Sequence, residues 1–152
     1  MNWPHLHLII NHFPVVGFLF GLLFVAYAMI RKSEELQKTS LGFLVLVALV
    51  TVPVYFTGDQ AGDIVKRLPD VSKSLVDQHG EAASVALTGA VMLGLIAASG
   101  IFFFRRAAAI PRRFMVLTLI LTIAVNGLIG YTANLGGQIR HPEARKDFQF
   151  PK

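Results

Sequence analysis

The sequence predicts an all-α fold, an integral-membrane four-helix up-down bundle, and three observations carry that expectation. Apolar residues make up 54% of the chain, and mean hydropathy is +0.59, which suits a membrane protein better than a soluble core. Four apolar runs each approach the roughly 20 residues that a helix needs to cross a bilayer. Basic residues gather at the ends of these runs: the short connections 31–38 and 105–113 hold seven Lys and Arg between them.

The first run, 8–30, carries Pro14 near its start. Pro14 cannot donate to the carbonyl of Ile10, so a kink or a loosened turn is expected there. The second run, 39–56, is the shortest and has Pro53 near its end. The third spans 78–104 and the fourth 114–135. Between the second and third, the outer loop 57–77 contains an amphipathic segment. Its residues Ala61, Ile64, Val65 and Leu68 form one helical stripe, which stops at Pro69 and is expected to lie at the membrane interface. In the tail, 136–152, the pair Gly136-Gly137 is expected to turn the chain over the bundle end and bring His141 inward. No internal repeat stands out, and 1–152 reads as one domain.

Short basic loops mark a cytoplasmic side, so both termini are expected on the outer side of a multi-pass protein. The loop 57–78 agrees, with three basic residues against four acids. Arg140, Arg145, Lys146 and Lys152 in the tail reduce the contrast. The formal charge of +5 therefore reflects topology rather than nucleic-acid binding. Cysteine is absent, which excludes disulfides, iron–sulfur ligation and covalent c-type haem through this chain. The stretch before the first run has no basic region of the kind that opens a cleavable signal. No nucleophile, acid–base pair or nucleotide-binding loop stands out, so an electron carrier or redox subunit is expected rather than a stand-alone enzyme.

In an up-down bundle, the starts of helices one and three share one end with the finishes of helices two and four. All five histidines fall there: His5, His7 and His12, then His79, then His141. Imidazole beside hydrocarbon is costly unless it is paired, ligates a metal or lines a wet cavity. Neutral imidazole ligates haem iron, copper or zinc, and it can carry protons. Haem suits the surroundings best. Ala82, Ala86, Ala90, Gly94 and Ala98 form an i, i+4 row, and Gly127 and Gly130 lie on helix four. Such small residues let backbones stand back from a porphyrin, or else pack helices closely. The alternative is a copper or zinc site completed by Asp59, Asp63 or Glu81.

His7 and His12 are five residues apart, so on a regular helix they point about 140° apart and differ by about 7.5 Å in height. Each is therefore expected to look across to a different partner, His79 or His141. His5 reads as an interfacial residue, like Trp3 and Tyr131. Asn11, Glu81, Asn134 and Glu143 are candidates to orient the imidazoles. Asn126, near mid-membrane, is expected to make an interhelical hydrogen bond.

Several motifs in one order resemble a known bacterial family. They are His7-x-x-x-Asn11-His12-Phe13-Pro14, Thr57-Gly58-x-x-Ala61, Leu68-Pro69-x-Val71-Ser72, His79 with Glu81 and the alanines after it, and Gly136-Gly137-x-Ile139-Arg140-His141. The chain resembles, over nearly its whole length, the four-helix membrane family termed domain-of-unknown-function 2231. Many members have an acid directly after the third histidine, where Gly80 intervenes here. Relatives occur fused to, or encoded beside, Rieske and c-type cytochrome domains. The resemblance implies a redox role in the bacterial inner membrane and selects His7, His12, His79 and His141 as ligands. The combined expectation is a b-type cytochrome-like electron-transfer protein with one or two haems b near the outer face. Its partners would be a c-type cytochrome, a Rieske protein or quinone, within a larger complex or a homo-oligomer. The alternatives are a copper or zinc protein and a non-catalytic anchoring subunit.

Overall fold

A computed structural model describes residues 2–69, 71–107, 109–145 and 148. A short helix α1 (Trp3–Ile10) leads into α2 (His12–Arg31), followed by α3 (Glu34–Val65), α4 (Lys73–Phe104) and α5 (Arg112–Arg140). A single 3-10 turn, Pro142–Ala144, follows α5. The Asn2 side chain caps α1 by accepting from the His5 N–H at 3.1 Å. The helix is interrupted at Asn11, between α1 and α2, where Pro14 leaves the Ile10 carbonyl without its helical donor, and Asn11 itself keeps right-handed helical dihedrals. Counted through that junction, Trp3–Arg31 makes four helices long and apolar enough to cross a membrane.

The helices outlast the apolar runs. Pro53 sits on an exposed face inside α3, and the helix continues past it to Val65. The amphipathic stripe is therefore the last part of α3 rather than a separate element, with Ala61 buried and Gly62 against Val76 of α4. Ser72 caps α4 by accepting from the Leu75 N–H at 3.4 Å, so that helix starts before the hydropathy does. Helix α5 runs straight through Gly136 and Gly137, and the expected turn there does not form. Hydropathy reports where lipid begins, whereas caps and packing decide where a backbone stops being helical. At 32 residues, α3 and α4 are each about 48 Å long against a hydrocarbon core of about 30 Å. The surplus falls at the histidine end, where Asp59, Asp63, Asp77 and Glu81 are exposed. The tail residues Lys146 and Lys152 lie outside the described residues.

The arginine end is closed by a tight turn. Lys32 takes a left-handed conformation at φ 50° and ends α2, and Ser33 caps α3 with Glu34 and Glu35 in its first turn. Lys38 pairs with Glu34 and also donates to the carbonyls of Arg105 (3.2 Å) and Ala107 (3.4 Å), which ties the two basic loops together.

Helix α2 packs on α3 and α5, and α4 packs on the same two. Phe18, Leu41, Leu44, Leu93 and Met115 fill the centre. Small residues set the spacing. A Cβ built on Gly94 would lie 2.6 Å from the Cβ of Ala48, and one on Gly21 would lie 2.7 Å from Leu44 Cδ2. The row through Ala86, Ala90 and Gly94 is thus a packing seam against α3, and no porphyrin slot opens along it. Gly127 and Gly130 are exposed, with nothing within 4 Å of an added Cβ. Asn126 makes the expected interhelical bond, donating to the Phe18 carbonyl at 3.0 Å as well as to Thr122 of its own helix.

The structure reveals a repeat that the residues conceal. The buried positions of α2 are Pro14, Phe18, Gly21, Val25 and Ala28. Shifted by the separation of His7 from His79, they become Ala86, Ala90, Leu93, Ala97 and Gly100, all buried on α4. Shifted by the separation of Val54 from Thr132, buried Ser40, Leu44, Val47, Thr51 and Thr57 of α3 become Thr118, Thr122, Val125, Ile129 and Leu135, all buried on α5. Contacts repeat as well: Gly17 meets Val47, and Gly89 meets Val125. The bundle consists of two equivalent helical hairpins in the same orientation, the parallel kind of internal repeat. Substituting Gly94→Val should overpack the seam and destabilise the fold by roughly 1–3 kcal/mol, read as a lowered midpoint of denaturant unfolding in detergent. An unchanged midpoint would mean that the seam is loose.

Candidate functional site

The repeat places two histidines in equivalent surroundings at the histidine end. His7, on α1, donates its Nδ1–H to the Val54 carbonyl of α3 at 3.2 Å. His79, on α4, donates its Nδ1–H to the Thr132 carbonyl of α5 at 3.0 Å. A carbonyl can only accept, so in the neutral ring Nδ1 carries the proton and Nε2 is left as a bare lone pair. Both rings are partly buried, and they lie near enough for a charge on one to act on the other.

Glycine makes each bond geometrically open. Gly58 follows Val54 by one helical turn, and a Cβ there would lie 2.8 Å from His7 Cε1. Gly136 follows Thr132 by the same step, and a Cβ there would lie 3.0 Å from His79 Cε1. A helix carbonyl already bonded along its own helix keeps a second lone pair, and the residue one turn later normally covers it. Removing that side chain lets an imidazole from the next helix lie on the backbone. The halves differ in one respect. Thr57 donates to the Val54 carbonyl at 2.8 Å and lies 3.3 Å from His7 Nδ1, whereas the equivalent residue in the second hairpin is Leu135.

The other expected ligands do not join this pair. His12 is exposed and has no hydrogen-bond partner among the described residues. Its five-residue separation from His7 turns it about 140° away around the helix, and it lines an outer groove instead. His141 is also exposed, and its Nδ1 pairs with Glu143 Oε1 at 2.9 Å. The helical backbone at Gly136-Gly137 carries it past the bundle end rather than over it. Among the described residues, no three His, Asp or Glu side chains gather as a metal cluster. Asp59, Asp63 and Glu81 are exposed, and Asn134 accepts from Gln138 at 2.7 Å rather than from an imidazole. Asn11 differs from them: its Oδ1 is buried with no partner among the described residues, a spare acceptor between His7 and His12.

Sequence reasoning missed Gly58, Gly136 and the carbonyls that they uncover. A signal existed in the recurrence of Gly-x-Gln, as Gly58-Asp59-Gln60 and Gly136-Gly137-Gln138, at the finishes of the second and fourth helices. Charged side chains at this end pair among themselves. Lys66 bonds Asp77 at 2.6 Å, which bridges α3 to α4 and holds the ammonium above its ordinary pKa. The Glu143 carboxylate is held below its ordinary value, first by its own backbone N–H and then by His141.

Two outcomes follow from this geometry. In nitrogen NMR spectra of the neutral rings, His7 and His79 should show Nδ1-protonated tautomers. Gly58→Ala and Gly136→Ala should each abolish that signature only at their own histidine, and spectra indifferent to both substitutions would refute the cradle. The depressed carboxylate of Glu143 stabilises its turn above the ordinary glutamate pKa. That stabilisation should be lost as pH falls through the lowered folded value, read as amide shifts at Glu143 and Ala144 while α5 stays helical.

Comparison with protein-family models, curated proteins and solved structures finds no match to this chain, so the site rests on its own geometry.

Proposed function

We propose that this protein is a membrane-embedded electron carrier of the b-type cytochrome kind, with haem b held by His7 and His79 at the histidine end. One observation carries the reading: two equivalent imidazoles, each with Nδ1–H tied to a backbone carbonyl and Nε2 bare. That is the hydrogen-bonding pattern of imidazoles that bind iron, where the second nitrogen fixes ring orientation and raises ligand basicity. The donor set and the glycine cradles fit a haem iron. The packed seam along α4 does not accommodate a porphyrin. The haem therefore belongs past the core, where the long helices project, and two ligands imply one haem rather than two.

When bound, haem would supply a reversible one-electron iron couple whose potential follows the protein groups that hold it and their hydrogen bonds. The protein's own part is to hold the two rings in place. Val54 and Thr132 accept the Nδ1 protons, and Gly58 and Gly136 let the rings approach. Thr57 shares the Val54 carbonyl with His7, so the two ligands are not electronically identical. The four spans and the basic loops support a multi-pass protein of the bacterial inner membrane with this end outward, which suits a c-type cytochrome or Rieske partner. Membership of the domain-of-unknown-function 2231 family belongs to the same proposal.

Dithionite reduction of the purified protein should sharpen the Soret and α bands, with iron at one haem per chain. His7→Ala and His79→Ala should each remove most of the pigment, whereas His12→Ala and His141→Ala should keep it. Absence of those bands, or stoichiometric copper or zinc without iron, would overturn the reading.

A further inference from the structure

The internal repeat provides a control within the molecule: a feature confined to one hairpin is not required by the packing that both hairpins share. The clearest asymmetry lies on the outer surface between α2 and α3. A groove of about 440 Å³ runs there from His12 past Phe13 and Val16 to Phe20, with Phe43 and Val47 on the facing helix. A second hollow of about 510 Å³ shares Phe20 and Phe43 and extends it to Phe24. From His12 to Phe24 the groove covers about 18 Å of helix. Its lining is apolar except for His12. In the second hairpin, the positions equivalent to His12, Phe13, Phe20 and Phe43 are Ser84, Val85, Met92 and Leu121, so the imidazole and the aromatic rings are absent there.

We infer that this groove is a binding site for a lipid-soluble quinone, with the ring at His12 and the isoprenoid tail along Phe20 and Phe24. His12 lies about 28 Å from Arg31 along α2, which places it at the far boundary of a hydrocarbon core about 30 Å thick. A free imidazole at that depth, without a partner among the described residues, offers one N–H to a quinone carbonyl and one lone pair to a quinol hydroxyl. The charge pattern separates this occupant from a phospholipid. No Lys or Arg lines the groove, so an anionic phosphate finds no counter-charge, whereas an uncharged ring with hydrogen-bonding oxygens does find its complement. The phenyl rings beside His12 suit a planar ring, and the apolar remainder suits a long tail. The site is distinct from the His7–His79 pair, and its occupation does not depend on haem.

The test uses the full chain in nanodiscs and a photoreactive azidoquinone carrying an isoprenoid tail, with adducts located by mass spectrometry. Adducts should concentrate on α2 and α3 around Phe13, Phe20 and Phe43, and unlabelled quinone should displace them where added phospholipid does not. His12→Phe should weaken apparent affinity roughly five- to tenfold, the worth of one hydrogen bond. Val16→Trp, on the exposed groove wall, should block labelling, whereas Met92→Trp on the second hairpin should leave it unchanged; helix content by circular dichroism confirms that each variant is folded. Adducts spread evenly around the bundle, displacement by phospholipid, or labelling indifferent to both His12→Phe and Val16→Trp would each overturn the assignment. Labelling that passes these tests in a protein without haem bands would uphold the quinone site and refute the haem reading alone.

Discussion

Everything at the histidine end depends on how closely two helices can approach. In lipid there is little hydrophobic gain in bringing apolar helices together, so van der Waals contact between small residues carries much of the association. Gly17 against Val47 and Gly89 against Val125 bring together the helices within each hairpin, and Gly94 against Ala48 brings the hairpins together. Only at such spacing can an imidazole on one helix reach a carbonyl on the next. The same absence of a side chain that draws the helices together also uncovers the backbone oxygen, as Gly58 does for Val54 and Gly136 for Thr132.

That arrangement settles the polar requirements of the bundle unevenly. Each partly buried imidazole satisfies its Nδ1–H against a carbonyl that is already bonded along its own helix, and each keeps an unsatisfied Nε2. Buried threonines do the opposite: Thr51, Thr118 and Thr122 return their hydroxyl protons to their own helix and leave nothing over. The bundle is thus chemically closed through its middle and chemically open at one end. The Nε2 atoms of His7 and His79, which bond nothing among the described residues, lie at that end.

Two equivalent hairpins make the division of labour visible. Five buried positions on each helix repeat between them, as do the contacts of Gly17 and Gly89 and those of Gly58 and Gly136, although few residue identities do. What departs from the repeat is chemical: Thr57 against Leu135 beside the imidazoles, Asn126 against Ala48 at the seam, and the aromatic groove with His12 against Ser84, Val85 and Met92. A duplicated framework can keep its packing and diverge at the few positions that face a ligand or lipid.

Hydropathy and charge are one-dimensional properties, and they were legible in the residues alone. Four membrane-length helices, basic loops at one end, all histidines at the other and an interhelical bond from Asn126 could be read before any fold was known. The tertiary structure decided where each histidine is held. His7 and His79 each seat on a carbonyl of a neighbouring helix, while His12 stays on the outer surface and His141, carried by an α5 that remains helical through two glycines, pairs with Glu143. It also decided that the alanine row is a packing seam, and that α3 and α4 continue well past their apolar runs. These outcomes depend on helix rotation, on caps and on contacts from a neighbouring helix. The spacing of residues along one chain encodes none of them directly. For that reason the seat of His7 on the Val54 carbonyl, opened by Gly58, exists only in the folded bundle.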